Sequence, residues 1–594
     1  MRDFLKKHNY ICLSGMILVT CLVLYRGFFR ENVLAYIDHG YDTFHQYVPI
    51  YQFFASLLNN GFSTYSFFYG LGTSVFIAIS TVSNPFSALN VIIGALFGID
   101  KIPGFLVYNQ ILKILCAGLL CNYYLRSHKL SEKSSMVASY CFAFSGYMMT
   151  AGQHYAFAVH PIYFLILLIL VDQTIKSPKK IYRLLIFSFF CGLRSPYSAY
   201  MMFLAGAVYT ICVSLYTSNT LFLGVKKIVF MGSSMVLGLC TAMFYFLPQA
   251  EKIMNSYRVA DNEVSANRLV EFLKPASLET LITAFLRLFS NNLQGTPNNW
   301  QGVEQHFEAF SYFFSSIFVL FAVQFFVVEL KRGKRKNNKK YSVFCWILLL
   351  GMVYSVLFNF VPVLFNLFVQ PQYRFVYAFL PMFAIMMAKV LDNIMYREEF
   401  SRKANWITTG TSVGLLAAVV KLFCENDELT KKVLLFTITV IICGAIALEL
   451  LYVFSETQGK YVCSKKSRIV YTSLFLLISI NLFVENDCTL YYGRWIATKE
   501  SYDAMQESTF RKAVSAAEEM EGENFYRMET DFHIANYADA MFALQSRVRS
   551  LSVYDSRCES SMGEFLTKMY GNILYKQQIY YLNGKKQLVK LLLN

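Results

Sequence analysis

Two aspartates, Asp38 and Asp42, lie close together in the run IDHGYD, with His39 and His45 interleaved and Gln46 and Tyr47 following. A carboxylate pair of this kind suits acid–base work: one group can take the proton of an acceptor hydroxyl while the other steadies a donor or a cation. The same residues also fit an ordinary solvated loop. Two guanidinium groups invite a second reading, Arg194 in CGLRSPYSAY and Arg374 in QPQYRFVYAF, each beside an apolar stretch. A planar fork suits a lipid phosphate. The plainer account is a side chain snorkelling to the interface, and for Arg194 it is the simpler one. His160, inside AFAVHPIYF, reads as a packing residue rather than a ligand.

Other chemistries lack residues to carry them. The chain contains no P-loop, no dinucleotide fingerprint and no GxSxG elbow. It has neither paired histidines at helical spacing nor a CxxC with zinc spacing, so no metal site is assigned, and the need for a divalent cation stays open. Cys488 and Cys558 both fall in the expected outer tail, which leaves a disulfide between them open. A membrane enzyme without a nucleotide fold needs a donor that is itself carried on lipid.

The elements that must position these residues are transmembrane helices. Charged residues are 15% of the chain and hydrophobic ones 56%, where soluble domains run at about a quarter charged. The net charge of +16 does not indicate nucleic acid. The basic residues form short clusters between apolar runs, among them Arg126 to Lys133, Lys176 to Arg183, Lys331 to Lys340 and Lys460 to Arg468. Cytoplasmic loops look like this under the positive-inside rule.

The expected architecture is an all-α polytopic membrane protein with a small extracellular α/β C-terminal region. Spans are expected at Tyr10 to Phe29, 104–124, 135–151, 157–175, 181–194, 197–216 and 227–248. Further spans follow at 309–330, 341–360, 375–395, 405–423, 432–453 and 468–486, about 13 in all. The stretch 74–98 is broken by Asn84-Pro85 into pieces too short to cross, so a re-entrant segment fits it better. Residues 1–486 then form the membrane domain, with outer loops at 30–73 and 248–308, and 487–594 form an outer region with a helix near Ser501 to Met520. An interfacial helix is expected near His45 to Leu58. The N-terminus starts inside the cell, and the C-terminal region lies outside.

Several short elements occur in a familiar order: DTFHQY at Asp42 to Tyr47, YSFFYGLGT at Tyr65 to Thr73, SNPFSALN at Ser83 to Asn90 and AFSGYMM at Ala143 to Met149. SPYSAYMMF, FYFLPQ and YRFVYAF follow, and NFYRMETD begins at Asn524. By these the chain resembles the YfhO-like family of bacterial membrane proteins, grouped with GT-C type glycosyltransferases. It departs from the family after SGYM, where FAVHP replaces the usual Trp-Leu-Asp element, and its outer domain is expected to be shortened. The resemblance implies a GT-C-like fold and transfer of a sugar from a polyprenyl-phosphate carrier to an envelope polymer such as teichoic acid, on the outer face of the membrane. It implies Asp42 as the base and Asp38 as its accessory. Arg374, Arg194, Gln46, Tyr47 and His45 then become the candidates for donor and phosphate binding. The partners are lipid and glycan, with no nucleic acid. Two rivals remain: a flippase for a lipid-linked glycan, and a non-catalytic scaffold of envelope assembly.

Overall fold

The computed structural model describes residues 2–520 apart from 37–41, 62, 69–72, 76–78, 80–81, 155, 256–271, 298, 336–338, 369–370, 398, 425–426, 456–464, 492–495, 507–515 and 517–518. Residues 521–594, with most of the expected outer region and Cys558, lie outside the described residues.

Helices dominate, because an apolar chain in hydrocarbon must satisfy its backbone groups internally. In order they are α1 (Arg2–Leu24), α2 (Val48–Asn60), α3 (Pro85–Phe97), α4 (Ile102–Ser127), α5 (Glu132–Ala143), α6 (Val159–Lys176), α7 (Ile181–Gly192), α8 (Pro196–Tyr216) and α9 (Leu221–Thr241). Then come α10 (Leu278–Arg287), α11 (Phe318–Arg335), α12 (Lys339–Leu357), α13 (Leu380–Asp392), α14 (Arg402–Phe423), α15 (Glu428–Ser455), α16 (Lys465–Tyr491) and α17 (Lys499–Gln506). Among the described residues, eight helices are long and apolar enough to cross a membrane, at Ile99–Ser127, Val159–Lys176, Pro196–Tyr216, Leu221–Thr241, Arg374–Tyr396, Arg402–Phe423, Glu428–Ser455 and Lys465–Tyr491. Shorter apolar helices occur at Asn9–Leu24, Pro85–Phe97 and Ser342–Leu357.

Several expected spans therefore take a different form. The runs at 135–151 and 181–194 become α5 and α7, of 12 residues each, or roughly 18 Å of helix, well short of a bilayer core. The run at 309–330 is helical only from Phe318, and the residues before it are buried yet irregular. The Asn84-Pro85 break is present. Asn84 caps α3 by accepting from the Ser87 amide at 3.0 Å, and Pro85 opens the helix, as the missing N–H of proline allows. α2 lies where an interfacial helix is expected, but Val48 to Leu57 are all buried, so it packs inside the protein rather than floating on one face. α16 continues to Tyr491, past the expected domain boundary at 486.

Close helix approach depends on small residues. A methyl at Gly238 of α9 would collide with the Leu185 carbonyl oxygen of α7, and one at Gly118 of α4 would stand 3.2 Å from Ala143 of α5. The connections sort into two ends. At one end the Asp392 carboxylate accepts from the Ser131 amide and the Ser134 hydroxyl, Tyr471 donates to the Lys133 carbonyl, and Arg402 pairs with Glu449. The basic clusters around Arg126, Lys176, Arg402 and Arg468 belong to this end, where Lys176 reaches the Ser127 carbonyl. At the other end β1 (Val33–Tyr36) pairs antiparallel with β2 (Ile496–Thr498), with Tyr36 opposite Ile496. There Arg26 pairs with Asp487 and lies 4.2 Å over the Tyr491 ring, and the Tyr36 and Tyr491 hydroxyls are 2.7 Å apart. Tyr502 of α17 is buried and accepts from Gln52 of α2 at 3.1 Å.

Candidate active site

Asp42 opens a π-helical turn, Thr43–Tyr47, that runs straight into α2. It is the residue before the turn, yet its side chain makes no capping bond, so the carboxylate is free to reach across the bundle. It meets His154: Oδ2 lies 3.3 Å from Nε2, with the two side chains 21% and 10% exposed. An ionised carboxylate only accepts, so Nε2 carries the shared proton. Thr43 fixes the approach by donating to the Gln153 carbonyl at 2.8 Å. The Tyr47 ring meets His154 edge-on at 5.3 Å, and the imidazole stacks on Phe157 at 4.2 Å and on Phe307 at 5.6 Å. Single π turns inside helices frequently mark functional sites, because they re-aim a side chain.

Arg374 belongs to the same cluster. Its Nε and Nη2 both donate to Oε1 of Glu308, the former at 2.8 Å. Its guanidinium lies 5.2 Å over the Phe157 ring and 5.8 Å over Tyr197. Phe157 therefore touches both His154 and Arg374, and the consecutive residues Phe307 and Glu308 serve one each. The Tyr147 hydroxyl donates to the Arg374 carbonyl at 3.0 Å. Nearby, burial and then Glu308 raise the Glu304 carboxyl above the usual range, with Arg374 opposing. Because Glu308 occupies one edge of the Arg374 fork, a phosphate at this arginine would have to share or displace that carboxylate.

The remaining expected residues divide. Gln46 is half-buried on the π turn beside Tyr47. Of His45 only the backbone of that turn is described, and Asp38 lies outside the described residues. Arg194 is buried at the turn between α7 and α8, with its guanidinium 5.0 Å over the Tyr163 ring. His160 has both ring nitrogens engaged, by Tyr147 at 3.2 Å and Ser198 at 3.1 Å, which suits a packing role. The sequence reading overlooked His154, Glu308 and Phe307. Its only available signal was a lone ionisable residue beside an apolar run, the same signal that singled out Arg374.

Phe307 and Glu308 sit on an irregular segment fixed by buried polar side chains. Glu485 of α16 accepts from the Ser290 hydroxyl at 2.8 Å, the Asn291 amide at 3.1 Å and the Asn292 side chain at 3.0 Å. Asn481, one turn earlier, accepts from the Ser315 hydroxyl and the Ser316 amide at 2.9 Å each. Arg287 donates to the His306 carbonyl at 2.7 Å and lies 4.2 Å over Trp300. Burial pulls this guanidinium down to about 9, against the opposing effect of Glu485. Buried irregular backbone needs such partners.

Beside the cluster is a small cleft lined by Tyr25, Tyr36, Thr43, Leu106, Val107, Gln110, Gly152 and Gln153. Two of the lining residues, Thr43 and Gln153, are the chain neighbours of Asp42 and His154. Among the described residues no three His, Cys, Asp or Glu side chains converge on a point that could hold a metal ion.

A family model described as bacterial membrane protein YfhO matches residues 11–594. No curated protein matches the chain. Among solved structures, the crystal structure of the Archaeoglobus fulgidus oligosaccharyltransferase in its apo form is similar, with a TM-score of 0.46 and 11% identity. That alignment covers 91% of this chain and 64% of the archaeal one, so the chain spans less than two thirds of its length. The likeness is too slight to carry a function across.

Proposed function

We propose that this chain, which belongs to the YfhO family of bacterial membrane proteins, is a GT-C type glycosyltransferase. It moves a sugar from a polyprenyl-phosphate carrier to an envelope polymer, such as teichoic acid, on the outer face of the membrane. The observation that carries this reading is the Asp42 carboxylate, held by His154 next in the chain to residues that line a small cleft. Transfer to a hydroxyl requires the acceptor proton to leave as the acceptor oxygen attacks the anomeric carbon. The bond from that carbon to the phosphate oxygen breaks, and polyprenyl phosphate departs with the electron pair. Asp42 receives the proton at neutral pH without a cofactor. His154 binds Oδ2 and leaves Oδ1 for the acceptor. Asp38 acts as accessory in the same loop. Gln46, Tyr47 and His45 are the further candidates for substrate binding, and Arg374 and Arg194 supply positive charge for the donor.

Sugar transfer in membranes supplied with a polyprenyl-phosphate sugar and a wall-polymer acceptor tests this directly. Asp42→Asn keeps the shape and removes the base, so transfer should fall by about 10²-fold or more, with protein abundance unchanged. Asp38→Asn should cost less. Wild-type transfer by the Asp42→Asn form would leave the flippase reading as the better account.

A further inference from the structure

Trp300 lies on the irregular segment that also carries Phe307 and Glu308, and its indole is half-buried. Its position is fixed on several sides. Nε1 donates to the Val303 and Glu304 carbonyls at 3.3 and 3.1 Å. The guanidinium of Arg287, 1% exposed, covers the ring at 4.2 Å from its centroid, so the part of the indole that meets solvent lies away from that cation. A side chain at Gly302 would collide with the six-membered ring, so only glycine fits beside it. The Gln301 amide donates to the Gln294 carbonyl at 2.9 Å, and the Val303 amide donates to the Thr283 hydroxyl at 3.3 Å. An indole held in this way binds a partner with little loss of freedom.

The rim of this ring is polar. Asn299, Gln301, Glu304 and Gln305 are exposed. Asn299 uses its carbonyl oxygen on the Thr296 amide and hydroxyl, at 2.8 and 2.9 Å, which leaves its amide nitrogen to donate. Trp346 is the contrast: it is 50% exposed beside Val343, Ile347 and Leu350 on α12, an apolar surface suited to lipid. An apolar ring edged by amides and a carboxylate suits a sugar instead, whose C–H groups lie on a π face while its hydroxyls exchange hydrogen bonds around it. We propose that Trp300, with Asn299, Gln301 and Glu304, is a docking platform for a pyranose ring of the glycan acceptor. The platform adjoins the Asp42 cluster. The Trp300 ring meets His306 edge-on at 5.0 Å, and the next residue, Phe307, stacks on His154. Glu304 is within electrostatic range of Glu308 and Arg374. Because His306, Phe307 and His154 link the indole to Asp42, a ring on Trp300 belongs to a unit of the acceptor chain beyond the one that reacts. This assignment to the acceptor rests on the glycosyltransferase reading; sugar binding at Trp300 does not.

The full-length chain in a detergent without sugar head groups provides the test. With Trp346, Trp406 and Trp495 changed to Phe, Trp300 is the one tryptophan left of four, and its emission reports on its own contacts. The probes are a glucan hexasaccharide, a sugar-free poly(glycerol phosphate) and vesicles of anionic phospholipid. The glucan should shift the emission in a saturable way, and poly(glycerol phosphate) should not. An equal shift with poly(glycerol phosphate), a response to phospholipid alone, or no response to the glucan would overturn the platform, and none of these needs a variant at Trp300. In the otherwise native chain, Trp300→Ala should lose thermal stabilisation by the glucan, and Trp300→Phe should keep part of it. In transfer to a sugar-bearing acceptor, Trp300→Ala should raise KM about tenfold with kcat unchanged, the mark of binding shared by ground and transition states. Asp42→Asn should bind the glucan as wild type does. Glucan binding without transfer in wild type would remove the glycosyltransferase reading and leave the platform. Transfer with an unchanged KM in Trp300→Ala would remove the platform and leave that reading.

Discussion

His154 reaches Asp42 through one nitrogen while its ring packs against both Phe157 and Phe307. Its proposed role is to position the base. His154→Phe keeps the stack and removes the donor, and should slow transfer about tenfold, on the scale of a hydrogen bond to a charged group. His154→Gln restores a donor and should lie between that variant and wild type. Equal rates in all three would remove His154 from the reaction. Arg374 and Glu308 form a buried pair with side chains 16% and 8% exposed. Glu308→Gln leaves a buried cation uncompensated and should cost about 3–5 kcal/mol in thermal unfolding, with part of this recovered in Glu308→Gln/Arg374→Met. Additive losses would show that the two residues act independently. Asp42, Tyr47 and Arg374 were legible as polar residues set in aromatic motifs. His154 and Glu308 were not, because their partners are distant in sequence and a lone ionisable residue has no spacing to read.

The irregular segment before α11 depends on α16 for its shape, and Glu485 is the acceptor its donors share. Glu485→Ala strands the Ser290, Asn291 and Asn292 donors in the interior and should cost about 1–3 kcal/mol of stability. Transfer should fall with it, since Glu308 rides on the same segment. Unchanged unfolding in Glu485→Ala would mean that other contacts hold the segment. Hydropathy marks 309–330 as a span because FEAFSYFFSSIF is rich in aromatics. It cannot distinguish burial in protein from burial in lipid, and here the Asn481 and Ser316 side chains supply partners that lipid would not. By contrast, Asn84-Pro85 was readable because a cap and a helix-opening proline act locally.

The bundle as a whole has two chemically distinct ends, and the basic clusters gather at one of them. If that end is cytoplasmic, a cysteine at Gln301 should react with an impermeant thiol reagent in intact cells. A cysteine at Lys331 should react only after the cells are opened, in a background whose native cysteines give no signal. The reverse pattern would invert the topology. The membrane class of the chain was legible because long apolar runs and basic clusters alternate along it, while the number of crossings was not, since hydropathy marked runs that form helices of only 12 residues. The pairing of β1 with β2 was not, since nothing local announces a strand partner so far along the chain. That pairing, with Arg26–Asp487 spanning 461 residues of sequence, sets an order of biogenesis. The first helix and the Asp42 loop leave the ribosome long before the strand and carboxylate that hold them in place. Until α16 is made, the Asp42 loop has its contacts to His154 and Gln153 but not the strand and carboxylate that tie the first helix in place, so a chain interrupted before Asp487 would lack that closing tie.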